Sequence, residues 1–218
     1  MTPLRIEAHV PMGVCLPAHP IALDALLMAA VGLRDGLPPP ANPSECQDLP
    51  IPIARERGVY MASWGHHEVD MREGDWTNRR FPVSEAQDLG SERFKRIQLG
   101  AGPTKSYRIP RERLYLRGER MTWWAVGDAA GVRELLGWIH YVGKRRAVGL
   151  GRVHAWTVEE VEPWGDGFPV LRDGMPTRSL PIDWPGIGAD AERAYVTPTP
   201  PYWDHARRVA CAVPSWEP

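Results

Sequence analysis

The stretch DAAGVRELLGWIHYVGKRRAVGLGRVHAWTVEEV (Asp128–Val161) contains a helical pattern, a basic loop and a strand pattern in direct succession. Its apolar residues recur with helical spacing and form one stripe: Val132, Leu135, Leu136, Ile139 and Val142. This spacing predicts an amphipathic helix that follows Asp128 as its N-cap and stops near Gly143. The segment from Arg152 to Val161 then predicts a strand.

The amino-terminal segment supplies a second strand and helix. Residues alternate between apolar and polar from Leu4 to Val10, which predicts a half-buried strand. Residues 20–36 predict a helix, with Asp24 in its first turn and Gly36 as a possible stop.

Residues 51–65 and 94–128 favour further strands, so the whole order is strand, helix, strands, helix, strand. The predicted fold class is therefore α+β, with a ferredoxin-like β-α-β-β-α-β domain over residues 1–161. The polar stretch 66–93 is predicted to be a projecting insertion. Ten of the 23 prolines lie in residues 162–218, which predicts an extended carboxy-terminal segment packed on the domain.

Positive charge is concentrated in the middle of the chain. Residues 94–156 hold 13 Lys and Arg against 4 Asp and Glu, although the net charge of the whole chain is only −1. Such a block is the electrostatic footprint of a polyanion site. The alternative is a solvated face with scattered arginines.

The glycine-rich loop GKRRAVGLGRV (Gly143–Val153) lies after a helix and before a strand. Nucleotide-binding P-loops and Rossmann loops have the opposite order, so neither is expected here. One remaining interpretation is a helix end whose glycines pack closely on the sheet. The other is a loop that binds nucleic acid phosphates through its main chain and side chains.

The loop and the start of the chain resemble the RAMP superfamily of CRISPR-associated proteins. LRIEAHVPMGVCLPAHPIALDALLMAAV is similar to its opening strand and helix, and WWAVGDAAGVRELLGWIHYVGKRRAVGLGRV to its second helix and glycine loop. DGMPTRSLP (173–181) and the Pro- and Trp-rich end resemble the type IV subunit of Cas-five type, called Csf-three. The resemblance implies a non-catalytic subunit that caps the 5′ repeat-derived handle of a CRISPR RNA. It also implies a single copy in a hetero-oligomer with a Cas-seven-like backbone subunit and a large subunit, and a thumb, here placed at 66–93 with Arg72.

The candidate RNA-binding residues are the glycines and cations of the loop, with cations and one tyrosine upstream: Lys144, Arg145, Arg146, Gly149, Gly151, Arg152, Lys105, Tyr107, Arg108, Arg79 and Arg80. Phosphate contacts by Lys and Arg would make binding depend on salt. Tyr107 is the best candidate to stack on a base, whereas Trp123, Trp124 and Trp138 are expected mainly in the core.

Two other functions stay open. A metal-independent endoribonuclease of Cas-six type, or a self-processing Cas-five variant, would use His66, His67 or His140. A ferredoxin-like module that binds a small anion would use the same loop without RNA. No cofactor and no metal ligand set is expected. Three widely spaced cysteines, no signal-like start and no long apolar run predict a cytoplasmic protein without a membrane span.

Overall fold

The central sheet of the protein is built around its amino-terminal strand. The computed structural model describes residues 1–16, 21–79, 99–100 and 105–215. Strand β1 (Thr2–His9) lies between β6 (Arg120–Gly127) and β7 (Ala155–Glu160), and it is antiparallel to both. The predicted alternation is confirmed, because Leu4, Ile6, Ala8 and Val10 are all buried.

Residues 62–66 extend this sheet by pairing with the edge of β6 that does not face β1. A short hairpin, β2 (Arg55–Glu56) and β3 (Val59–Tyr60), precedes an extended segment. In that segment Ala62 bridges Ala125 and His66 bridges Thr122, both antiparallel to β6. The segment therefore runs parallel to β1, with β6 between them.

Two α-helices of the described residues pack on one face of the sheet. Helix α1 spans Leu23–Arg34 and α2 spans Ala129–Leu136. Asp128 is the N-cap of α2, as predicted, and its carboxylate accepts a hydrogen bond from the Gly131 amide at 2.9 Å. The predicted start of α1 at Pro20 lies outside the described residues.

Helix α2 is shorter than the sequence predicts. It ends at Leu136, before Gly137. Ile139 and Val142 are nonetheless buried in the same core, because the extended segment after the helix continues across it. Gly143 is therefore not the helix stop; it lies in a separate loop with a φ of +78°.

A long hairpin departs from the sheet. Strand β4 (Val69–Arg79) pairs antiparallel with β5 (Tyr107–Leu116) along its length. The predicted insertion at 66–93 thus contains β4, and the paired strand returns well after residue 93. Residues 80–93 of that insertion lie outside the described residues.

The carboxy-terminal segment forms short strands that the sequence does not predict. β8 (Leu171–Arg172) pairs with β9 (Met175–Pro176), and β12 (Val209–Val213) lies between β10 (Leu180–Pro181) and β11 (Glu192–Val196). A second apolar cluster joins Val170, Leu171 and Trp184 to Val126 of β6. Side chains alternate along β6, so this cluster lies on the sheet face opposite the helices.

Candidate nucleic-acid interface

The glycine-rich loop is held against the end of β1 by its backbone. The Lys144 amide donates to the Cys15 carbonyl at 2.7 Å, and the Gly151 amide donates to the Gly13 carbonyl at 2.8 Å. The Val142 amide donates to the Gly151 carbonyl at 2.8 Å, which closes the base of the loop. The tip is thereby presented on a fixed support.

Two of the glycines are required by packing. A Cβ on Gly151 would lie 1.8 Å from the Val142 carbonyl oxygen, and one on Gly143 would lie 2.6 Å from that of Cys15. Both residues also have positive φ, at +69° and +78°. For these two positions the structure favours the packing interpretation, and Gly151 is buried rather than offered to a ligand.

Gly149 is different. Its φ is +84°, but a Cβ there would meet no atom within 4 Å. The residue follows a short 3₁₀ turn, Arg146–Val148, at the tip of the loop. Gly149 is therefore the one glycine of this loop where the backbone conformation needs glycine and the space around it is open.

Three cations of the loop are exposed and have no acid partner among the described residues. Lys144, Arg146 and Arg152 are exposed, and within the described part of the chain no carboxylate forms an ion pair with them. Arg145 is half-buried and adopts a left-handed backbone conformation (φ +63°). Uncompensated charges on an ordered loop are suited to bind a polyanion.

Other arginines of the basic block are already neutralised. Arg113 lies 3.4 Å from Glu73, and Arg117 contacts both Asp70 (3.1 Å) and Glu68. Arg120 lies 3.4 Å from Glu7. Glu68, the hairpin and β1 supply these acids, so the free positive charge is narrower than the sequence suggests. Among the described residues of this block, exposed cations without an ion pair include Lys105 and Arg108 as well as those of the loop.

The hairpin carries a cation and aromatic pair on its surface. The Arg108 guanidinium lies 4.0 Å from the Trp76 ring centroid, and Trp76 is 47% exposed. Tyr107 is 37% exposed and Lys105 is exposed, as a binding role requires. Arg72 is paired with Glu112 at 3.4 Å. Of Arg79 only the backbone in β4 is described, and Arg80 lies outside the described residues.

The tryptophans divide between core and surface. Trp123 is fully buried, with its indole N–H donating to the Ile21 carbonyl at 2.8 Å. Trp124 packs edge-on against Trp164 with ring centroids 5.4 Å apart. Trp138 is 45% exposed, because it lies beyond the end of α2.

The three histidines proposed for catalysis show no catalytic arrangement in the described structure. His66 is exposed with its ring 5.9 Å from Trp124, whereas burial lowers the pKa of His67. His140 is exposed, and it is in an extended segment rather than on a helix face as predicted. A different group forms at the end of β1: His9 Nε2 lies 2.7 Å from Glu119 Oε2, and the ring of His154 contacts that of His9. Sequence inspection missed this group because its members lie far apart in the chain.

A buried ionic cluster holds the carboxy-terminal segment. Arg178 is fully buried, and its guanidinium donates to Asp24 at 3.1 Å, to the Tyr202 hydroxyl at 2.6 Å and to backbone carbonyls of Tyr60, Ala62 and Pro198. The Tyr202 hydroxyl donates in turn to the Asp24 carboxylate at 2.7 Å. Burial raises the pKa of Tyr202 well above its ordinary value. Asp24 thus anchors the tail, a function that its position in the first turn of α1 did not indicate.

The described residues contain neither a metal-ligand cluster nor a membrane-spanning helix. No group of three or more His, Cys, Asp or Glu side chains there is arranged to hold a metal ion. None of the helices described is long and apolar enough to cross a bilayer.

Comparison with known proteins gives one family. The family model described as CRISPR type IV associated protein Csf3 matches residues 92–214, more than half of the chain. The match includes the basic loop, Arg178 and the strands of the carboxy-terminal segment. No curated protein matches the chain.

Proposed function

The chain belongs to the Csf3 family of type IV CRISPR-associated proteins, and we propose that it binds the guide RNA as a non-catalytic subunit of a type IV effector complex. The basic loop Gly143–Val153 is the proposed grip on the 5′ repeat-derived handle. Lys144, Arg146 and Arg152 contact phosphates, and Gly149 lets the strand approach the main chain.

A ferredoxin-like domain is proposed as the scaffold. Support comes from the spatial order β7, β1, β6 and then the segment 62–66. The chain therefore forms two β-α-β units. The first consists of β1, α1 and the segment 62–66, and the second of β6, α2 and β7. Strand β6 lies between the two strands of the first unit, and β1 lies between the two strands of the second. The split β-α-β arrangement has this interleaving.

The observation that carries the RNA proposal is the contrast in pairing within one basic block. Lys144, Arg146 and Arg152 face solvent and form no ion pair with a described carboxylate, whereas Arg113, Arg117 and Arg120 are paired with acids. Internal pairing removes a cation from competition for phosphate. Three cations with no described acid partner lie close together in the loop sequence, so the loop is the proposed main grip, with Lys105 and Arg108 as further phosphate contacts. Tyr107 and the Arg108–Trp76 pair on the hairpin offer planar surfaces for bases of the same strand.

The proposed partner subunits and the proposed thumb are those that the resemblance to the family implies. We place the thumb on the hairpin β4–β5 rather than on 66–93 alone, since the strand that pairs with β4 lies after residue 93. A Cas-seven-like backbone subunit and a large subunit are the proposed protein partners of a single copy in the cytoplasm. Exposed aromatic side chains on the tail support a protein interface there: Tyr195 is 69% and Trp203 is 46% exposed.

The experiment compares RNA binding by the wild type and a loop variant. Labelled repeat RNA is titrated with the purified chain, with and without its partner subunits, at two salt concentrations on native and denaturing gels. The variant is Lys144→Ala/Arg146→Ala/Arg152→Ala; it leaves Arg145 in place because that residue is half-buried. We expect intact RNA, a shift in the wild type and a much weaker shift in the variant.

The matched control removes three exposed arginines elsewhere: Arg57→Ala/Arg193→Ala/Arg208→Ala. Equal loss in both variants would mean that only net charge matters, and the proposed grip would be wrong. Shortened RNA on the denaturing gel would instead support the endoribonuclease. An unshifted RNA with all partners present would leave a packing role for the loop.

A further inference from the structure

Two histidines meet at the end of the central sheet, beside the basic loop. The rings of His9 and His154 are in edge contact with centroids 5.6 Å apart. The His154 amide donates to the His9 carbonyl at 2.8 Å, so the backbone fixes the pair. His154 is exposed and His9 is half-exposed, which leaves the pair accessible.

A strained turn brings a carboxylate to the same place. Gly118 and Glu119 both have positive φ, and the Val10 amide donates to the Glu119 carbonyl at 2.7 Å. Glu119 is thereby directed at His9, whose Nε2 lies 2.7 Å from its carboxylate. The Nε2 atom of His9 is therefore hydrogen-bonded to Glu119, and this bond does not use Nδ1.

The charges that face the pair come from every neighbouring element. Glu7 lies two residues before His9 on the same face of β1, and Arg120 of β6 is the cross-strand neighbour of His9. Arg120 is paired with Glu7 at 3.4 Å. Arg152 lies two residues before His154 on the loop. Glu7 also lies 3.7 Å from Arg5, which is itself paired with Glu159 of β7 at 2.6 Å. With neutral imidazoles the acids Glu7, Glu119 and Glu159 balance the arginines Arg5, Arg120 and Arg152. The group therefore becomes cationic only when the histidines take up protons.

We propose that His9 and His154 form a second phosphate-binding subsite for the RNA strand held by the loop, and that this subsite works only in its protonated form. The inference rests on the proposed function, because the strand reaches the pair across Arg152. A protonated imidazole donates from both nitrogens. His9 can therefore keep Glu119 on one side and donate to a phosphate oxygen on the other.

The shared phosphate explains how two adjacent rings can be charged together. Two imidazolium groups in contact repel each other, and an anion between them offsets that repulsion. Binding of RNA then takes up protons, so by linkage the affinity must rise as the pH falls through the range in which histidine titrates, about pH 5 to 8.

The test measures RNA affinity at constant ionic strength from pH 8 to pH 5.5 by fluorescence anisotropy of labelled repeat RNA. The proteins are the wild type, His9→Gln/His154→Gln and, as a matched control, His205→Gln, an exposed histidine of the tail. We expect the wild-type affinity to rise about tenfold between pH 8 and pH 6, the effect of a one-unit pKa change in one group. The control should follow the wild type, and the double variant should bind equally at all pH values.

The outcomes separate the two proposals. An unchanged pH dependence in the double variant overturns the histidine subsite and leaves the loop grip intact, as does a wild type whose affinity does not change with pH. A wild type that binds at no pH, even with its partner subunits, overturns the RNA grip itself. Cleaved RNA with a 2′,3′-cyclic phosphate end would overturn the binding role of the pair in favour of acid–base catalysis.

Discussion

The buried guanidinium of Arg178 and the exposed cations of the basic loop show two opposite uses of the same chemistry. Arg178 is surrounded by Asp24, the Tyr202 hydroxyl and three carbonyls, and it is fully shielded from water. Lys144, Arg146 and Arg152 face solvent on a loop whose base is held by backbone hydrogen bonds. A charge that is paired inside the protein holds together the segments that supply its partners, whereas an exposed cation without an internal ion pair is available to another molecule.

The comparison predicts that the two regions fail in different ways. Removing Arg178 should strongly destabilise the protein without touching the proposed RNA contacts directly. Removing the loop cations should weaken RNA binding strongly and leave stability nearly unchanged. Both statements can be tested with the same two measurements, thermal unfolding and RNA titration.

The largest effect is expected from Arg178→Ala. The substitution leaves the Asp24 carboxylate buried without its counter-charge and frees three carbonyls, and breaking such a pair costs about 3–5 kcal/mol. Denaturant unfolding of the purified variant measures this free energy. Asp24→Ala is the reciprocal control, because it leaves the guanidinium uncompensated. A loss below about 0.5 kcal/mol in both would show that the cluster does not hold the tail.

A large effect within the loop itself is expected from Gly151→Ala. The new Cβ would overlap the Val142 carbonyl, and left-handed backbone adds about 1–2 kcal/mol for a non-glycine residue. Gly149→Ala has the same backbone penalty without the overlap. It should therefore destabilise the protein less than Gly151→Ala, and the difference should equal the free energy of the steric clash. Thermal melts of the two variants give the difference. Equal melts would contradict the division between a packing glycine and an open one.

The three exposed loop cations can be distinguished from Arg178 by the salt dependence of RNA binding. Three phosphate contacts contribute a slope of about 2 in log affinity against log salt for a single strand. At roughly 1 kcal/mol per contact, Lys144→Ala/Arg146→Ala/Arg152→Ala should weaken binding about a hundredfold at low salt. Its free energy of unfolding should stay within about 0.5 kcal/mol of wild type, as for most surface substitutions. A destabilised variant would mean that these cations are structural, like Arg178.

The sequence predicts what depends on neighbours in the chain. The alternation of β1 and the Asp128 cap are local features, and both are observed. The end of α2 is not predicted, because Ile139 and Val142 continue the apolar spacing although they leave the helix to cover the same core.

Pairings over long sequence distances were not accessible from the sequence. Arg178 meets Asp24 across 154 residues, and Arg117 meets Glu68 across 49. Local composition counts each of these arginines as free positive charge. The same limitation hid His9 and His154, which only the antiparallel pairing of β1 with β7 brings together.

The smallest effect is expected from Tyr202→Phe. This substitution tests, through the pH dependence of stability, whether the hydroxyl in the Arg178 cluster is buried. The lost hydroxyl leaves one donor of Arg178 and one acceptor of Asp24 less well paired, at a cost of about 1–3 kcal/mol near neutral pH. The folded-state pKa of Tyr202 is raised by burial above the unfolded value of about 10. Its contribution is therefore complete below pH 10, and it declines as the pH rises towards the folded-state value, because the unfolded chain then ionises first.

Urea unfolding at pH 7, 9 and 11 measures the difference in unfolding free energy between wild type and variant. This gap should be constant up to pH 9 and narrower at pH 11. A gap that stays constant to pH 11 would mean that the hydroxyl is exposed to water, and the cluster would then be as open as the loop it is compared with.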